Sequence, residues 1–320
     1  MLELPAELTR PIMSDGRVIA KLMLDLTVYL QGPSVTELQT LIELYEELCP
    51  PQRLFKYKIA EFEFWPQIGY PELTASGRVA QAAGVRDAHL EPVRRRIWEG
   101  RAFELGFWDG REIDDPDGSW SFVCRRIRLR STGLHAFMRI LVPVDADPSL
   151  LTKAAQTIAD RVPFHSGHGG LAFVYDSWNK PLALDHIYSL ARRFWGVDVE
   201  DMNQTLPLMR GHLKTVSWLT LIGRALAQKG GVVAGLTALP AASGVAIESR
   251  AYGLVIRAAA QPGAGDQHES DDGLRPYYAI ANAIAPLVLD SAPDFSGARF
   301  IESGQTVGWL RRFLEPDGWR

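Results

Sequence analysis

Two histidines three residues apart, His165 and His168 in PFHSGHGGLAF, come nearest to a metal-ligand pair in the sequence. Imidazoles at that spacing can converge on one cation when they share a face and a further ligand joins them, and no HxxxH or ExxH element accompanies these two. The segment is glycine-rich and follows Pro163, which predicts a turn leading into a strand with both imidazoles hydrogen-bonded locally. Joined to a distant carboxylate, His165 and His168 would make the chain a metal-dependent enzyme, and that reading stands as an alternative. Ser166 lacks the GxSxG surroundings of a nucleophile elbow, because it precedes a strand and has His165 beside it. Gly230-Gly231 and Gly263-Ala264-Gly265 fit neither GxxxxGK[ST] nor a GxGxxG placed after a strand. His89, His135, His186, His212 and His268 are scattered singly. No catalytic, cofactor-binding or metal-ligating residue is assigned on these grounds.

Acidic residues are more concentrated. Asp109, Glu112, Asp114, Asp115 and Asp117 fall within nine positions, and Asp266, Glu269, Asp271 and Asp272 form a second group. Neither group has the DxDxDG order of a calcium loop. Solvated turns are the plain reading of both. The functional reading is an acidic docking surface for a basic partner, where complementary charge speeds encounter and sets specificity. The residues expected to touch that partner are Asp109, Glu112, Asp114, Asp115 and Asp117. Nine tryptophans supply further candidates for interface anchors, with most expected in the core.

The elements that must carry these loops follow from periodicity. Val18 to Tyr29 alternates with one apolar face and predicts a half-buried strand. Ser34 then caps a helix whose Val35, Leu38, Leu41, Ile42, Tyr45 and Leu48 recur at helical spacing until Pro50-Pro51. A second strand is predicted from Tyr57 to Trp65. Strand followed by helix recurs at His135 to Val144 with the segment after Asp147-Pro148-Ser149, and again at Gly253 to Ala259 with Pro276 to Leu289. Leu171 to Tyr175 returns as a strand. The order predicts an α+β fold of mixed, mainly antiparallel sheets with packed amphipathic helices. Whether the strand–helix units are a true repeat stays open. No linker divides the chain, so residues 1–320 are expected to form one integrated domain, with 1–14 and 315–320 peripheral.

Hydrophobic residues make up 47% and charged residues 22%, an ordinary globular composition, and two cysteines without a CxxC suit a reducing compartment. The net charge of −4 argues against nucleic acid as a ligand. The start MLELPAEL has neither a basic leader nor a continuous apolar run, so a cytoplasmic location is expected. Gly230 to Ile247 carries no charge but holds four glycines and Pro240, which predicts buried small-residue structure instead of a membrane span. Self-association stays open.

Five landmarks occur in a fixed order: FHSGHGGLAF (164–173), LKTVSWLTLIG (213–223), GLVIRAAAQPGAGD (253–266), PYYAIANAIAPL (276–287) and VGWLRRFL (307–314). In them the chain resembles the type VI immunity family over roughly residues 15 to 315. The resemblance implies an immunity protein that binds a cognate type VI toxin, a nuclease of restriction-endonuclease-like fold, and blocks its active site without chemistry of its own. It also implies that Gly169-Gly170 admit a tight turn before a strand, that Val216, Trp218, Leu219 and Ile222 anchor a buried helix, and that Tyr277 or Tyr278 packs the late helix. The chain departs from the family after Asp266, where Gln267-His268-Glu269 replaces an Asn–Arg type continuation. A scaffold subunit of the secretion apparatus remains the other alternative.

Overall fold

The computed structural model describes residues 2–50, 53, 56–60, 68–69, 91–110, 116, 118–129, 133–269, 271–302 and 304–319. The run Arg17–Leu30 forms a strand of fourteen residues, β2, on which the fold is hung. The short β1 (Ile12–Ser14) folds back on it. In chain order there follow β3 (Lys56–Ala60), β4 (Ile68–Gly69), β5 (Phe103–Trp108), β6 (Ser121–Leu129), β7 (Gly133–Val142), β8 (Phe164–Tyr175) and β9 (Asp198–Val199). Next come β10 (Leu219–Gly223), β11 (Ala246–Arg250) and β12 (Gly253–Arg257). The described residues join these in one 12-stranded sheet of order β11-β12-β10-β8-β2-β7-β6-β5-β3-β4. Every pairing is antiparallel except β8 with β9. The fold is α+β, as the pattern predicts.

Side chains of a strand alternate between faces. Leu22, Leu24, Leu26, Val28 and Leu30 of β2 are all buried in the main core. Helices Val35–Leu48 and Ser149–Arg161 cover this face, the first through Tyr45, whose ring stacks 5.4 Å from Phe122 and 6.2 Å from Phe107. The first helix starts as its sequence predicts. Ser34 Oγ accepts from the Glu37 amide at 3.2 Å, and Glu37 Oε2 accepts from the Ser34 amide at 2.7 Å.

The opposite face corrects the expectation of a half-buried strand. Met23, Asp25, Thr27 and Tyr29 are buried as well, because the segment 194–218 and the C-terminal residues around Trp309 and Arg312 form a second layer there. Other expectations also change. Leu219–Gly223 is strand β10, not a helix, although Val216, Trp218, Leu219 and Ile222 are buried as expected. Its alternation places Thr220 and Ile222 on one face and Leu219 and Leu221 on the other, which a central strand can bury completely. Gly169 and Gly170 lie inside β8, which begins at Phe164 without a preceding turn.

Gly230 to Ile247 is largely at the surface. Only Val232 and Leu236 of its short helix Val232–Thr237 point inward, and the rest is capped by turns. The late helix ends at Ala283, and Ala285–Leu287 continue as a 3-10 turn at Pro286. Tyr277 and Tyr278 both pack against Phe313, at 5.2 and 5.6 Å between ring centres. No helix among the described residues is long and apolar enough to cross a membrane.

Cys49 and Cys124 are free and buried. Burial pushes each thiol up to about 12, which leaves about one thiolate in ten thousand at pH 8. Native protein at pH 8 should therefore show almost no reaction with a thiol-titrating reagent, and two equivalents after denaturation. Rapid titration of the native chain would contradict the packing described.

Candidate functional site

His168 stands at the centre of the sheet, opposite Thr27 of β2 on one side and Thr220 of β10 on the other. Just past the β8 registers, the two-residue β9 runs parallel to it and sets Asp198 beside Ala172. Asp198 and Glu200 are separated by one residue in extended chain, so both carboxylates turn to the same side while Val197 and Val199 enter the core. Lys214 comes from the other direction. Its neighbour Leu213 donates to Leu287 O at 2.8 Å and accepts from the Leu289 amide at 3.1 Å, which pins the segment against the C-terminal layer.

These side chains form a closed ionic cluster. Lys214 Nζ donates to Asp198 Oδ2 at 2.7 Å and to Glu200 Oε2 at 2.8 Å. His168 Nε2 lies 3.2 Å from the same Asp198 oxygen and 3.3 Å from the same Glu200 oxygen, within ion-pair distance of both. Thr205 Oγ1 donates to Glu200 Oε1 at 2.6 Å and Tyr29 Oη to Glu200 Oε2 at 3.2 Å. None of His168, Asp198, Glu200 or Lys214 exposes more than 4% of its surface.

Burial would raise the Glu200 carboxyl, yet the Lys214 ammonium and His168 hold it far below the usual carboxylate range. Asp198 is lowered by the same two neighbours against the same burial. Burial and Lys214 both pull the His168 imidazole down, but the two carboxylates outweigh them and leave it raised. Burial, reinforced by Glu200, pushes the Tyr29 phenol well up. An imidazolium brings the cluster to two positive and two negative charges, the balance that lets buried ions persist. Beside Glu200 a cavity of about 140 Å³ opens among Val123, Arg125, Arg139, Lys180 and Met202. Its cations are engaged: Arg139 with Asp25, Lys180 with Asp201 and Arg125 with Glu104.

The sequence pair does not converge. Three residues apart in one strand, His165 and His168 point to opposite faces, and only His168 reaches the carboxylates. His165 is half-buried, with its imidazole pulled down by burial and by Arg210. Spacing therefore sets His168 beside the wrong residue, since its partners are Asp198 and Glu200. A trace of them is present in VDVE (197–200), where apolar and acidic residues alternate as a strand with one charged face would.

Of the acidic docking residues, Asp109 is turned into its own loop. Its Oδ1 accepts from the Ser119 and Trp120 amides at 2.6 and 2.9 Å, with 3% of the side chain exposed. Glu112, Asp114, Asp115 and Asp117 lie outside the described residues. In the second group, Asp266 is gripped by Arg193 at 2.8 and 2.6 Å. The tryptophans divide: Trp195, Trp218, Trp309 and Trp319 are fully buried, whereas Trp98 and Trp178 are 89% and 88% exposed.

Residues 80–313 match the model of a protein family, TsiV, described as type VI immunity for VRR-NUC. The chain belongs to this family. The matched span holds β5 to β12 and the whole His168–Asp198–Glu200–Lys214 cluster, so the cluster is part of the type VI immunity fold as it occurs here. Among solved structures, Pseudomonas aeruginosa T6SS protein PA0821 is similar in fold. The TM-score is 0.71 at 21% identity, covering 97% of this chain and 90% of that one. No curated protein matches the chain. The resemblance seen in the five landmarks is thus to the right family.

Proposed function

We propose that this type VI immunity protein binds a type VI effector carrying a VRR-NUC nuclease and neutralises it in the cytoplasm by covering its active site, with no catalysis of its own. The observation that carries the reading is the family match over residues 80–313. The geometry supports it from the other side. The one group of three His, Asp and Glu side chains among the described residues whose ligand atoms converge is buried in the sheet and ion-paired with Lys214. What is left for a partner is surface. Trp178 stands almost fully exposed on a turn fixed by Asp176, whose carboxylate accepts from the Trp178 amide at 2.9 Å. An exposed aromatic ring is the type of group that anchors protein interfaces.

The loop of Asp109, Glu112, Asp114, Asp115 and Asp117 supplies the electrostatic part of the proposal. Asp109 would hold the base of the loop, and the acids beyond it would face the basic groove where a nuclease takes phosphate. Purified chain and effector should form a stable complex in which DNA cleavage stops. The triple change Glu112→Lys, Asp114→Lys and Asp115→Lys should slow association on the order of 10-fold at low salt, with the difference shrinking as salt rises. Unimpaired cleavage in the presence of excess chain would remove the functional reading. Normal association by the charge-reversed chain would remove only the loop's part in it.

A further inference from the structure

The distances inside the buried cluster match a coordination shell. Zinc-type cations sit 2.0 to 2.2 Å from imidazole nitrogen and carboxylate oxygen, which sets tetrahedral neighbours about 3.3 Å apart. His168 Nε2 lies 3.2 Å from Asp198 Oδ2 and 3.3 Å from Glu200 Oε2. All three donor atoms fall within 4.8 Å of one another. Asp198 Oδ1 is buried without a hydrogen-bond partner, and the imidazole of His168 is aimed at the two carboxylate oxygens that face Lys214. Lys214 Nζ is bonded to the same two carboxylate oxygens that such a cation would take.

We propose that His168, Asp198 and Glu200 are the ligand set of a divalent-cation site of the zinc and cobalt class, and that the ammonium of Lys214 is its resident cation. The lysine ties the 213–218 segment to Asp198 and Glu200, and through their oxygens to His168 of β8, as a structural metal would. Being part of the chain, it cannot be lost to a chelator. Removing that ammonium leaves two carboxylates and an imidazole in an enclosed place that a metal ion can enter. This inference concerns the fold's interior and stands or falls independently of the partner.

The test compares the natural chain with Lys214→Met and with Lys214→Met/His168→Gln, each titrated with Co2+ alone. Lys214→Met should take up one equivalent with the visible absorption of a low-coordinate Co2+ site, at least about 100-fold more tightly than the natural chain. The added His168→Gln change should abolish that spectrum. Stoichiometric Co2+ binding by the natural chain, no binding by folded Lys214→Met, or a spectrum unaffected by His168→Gln would each overturn the proposal. If Lys214→Met is insoluble as made, it is refolded from denaturant with Zn2+, with Mg2+ or with neither. Recovery of soluble, monodisperse protein with Zn2+ alone supports the site, and equal or absent recovery in all three overturns it.

Discussion

Replacing Lys214 by Ala should cost about 3–5 kcal/mol of folding stability, measured as a fall in the denaturant midpoint at unchanged slope. The reason is desolvation. Lys214 compensates Asp198 and Glu200 where both are almost wholly buried, and its loss leaves the two carboxylates beside each other without their ammonium. The contrast with Lys180 makes the expectation sharp. Lys180 also pairs with a buried acid, Asp201, but its own side chain is 14% exposed. Asp201 further accepts from the Ser296 amide and hydroxyl at 3.1 Å each. Lys180→Ala should therefore cost only about 1 kcal/mol. Adding Glu200→Gln to Lys214→Ala should restore part of the loss, since it removes one of the two stranded charges. Equal losses at the two lysines would show that the interior of the cluster is wet.

The second large effect belongs to a pair of glycines. Gly223 of β10 and Gly253 of β12 face each other across the ladder. A Cβ at Gly223 would lie 2.1 Å from Phe164 O and 2.6 Å from His165 O, and one at Gly253 would lie 2.2 Å from Ile222 O and 2.8 Å from the Phe164 ring. Backbone atoms cannot yield as a side-chain tip can, so three strands would have to part. Gly223→Ala should cost about 3 kcal/mol, at the upper end of what overpacking does. Gly211→Ala, with nothing within 4 Å of its added carbon, should be close to neutral. Thermal melts of the two variants side by side decide the matter. A neutral Gly223→Ala would mean that β8, β10 and β12 are not spaced as described.

Much of the architecture was legible because local signals agreed with it. The alternation from Val18 to Tyr29 gave the hub strand within a residue or two, and Ser34 gave the start of the first long helix. The failures have separate causes. The resemblance implied a buried helix at Val216 to Ile222, and because a central strand is buried on both faces, the nearly continuous apolar run of β10 gave no period to correct it. The small residues of Gly230 to Ile247 suggested a packed interior, whereas they serve turns at the surface. The ionic cluster was the least legible part. His168, Asp198, Glu200 and Lys214 are brought together by β9 running beside β8 and by Leu213 bridging to Val288, long-range pairings that spacing along the chain does not encode. Family membership, by contrast, could be read from the order of five short segments, each weak alone.

The hub strand has a consequence for synthesis. Residues 17–30 are made before their hydrogen-bonding partners, residues 133–142 and 164–175. At translation rates of 5–20 residues per second, a fourteen-residue apolar ribbon waits on the order of ten seconds for its neighbours. Nascent chains that stall in that interval carry an unpaired adhesive segment, the kind of strand edge on which aggregation starts.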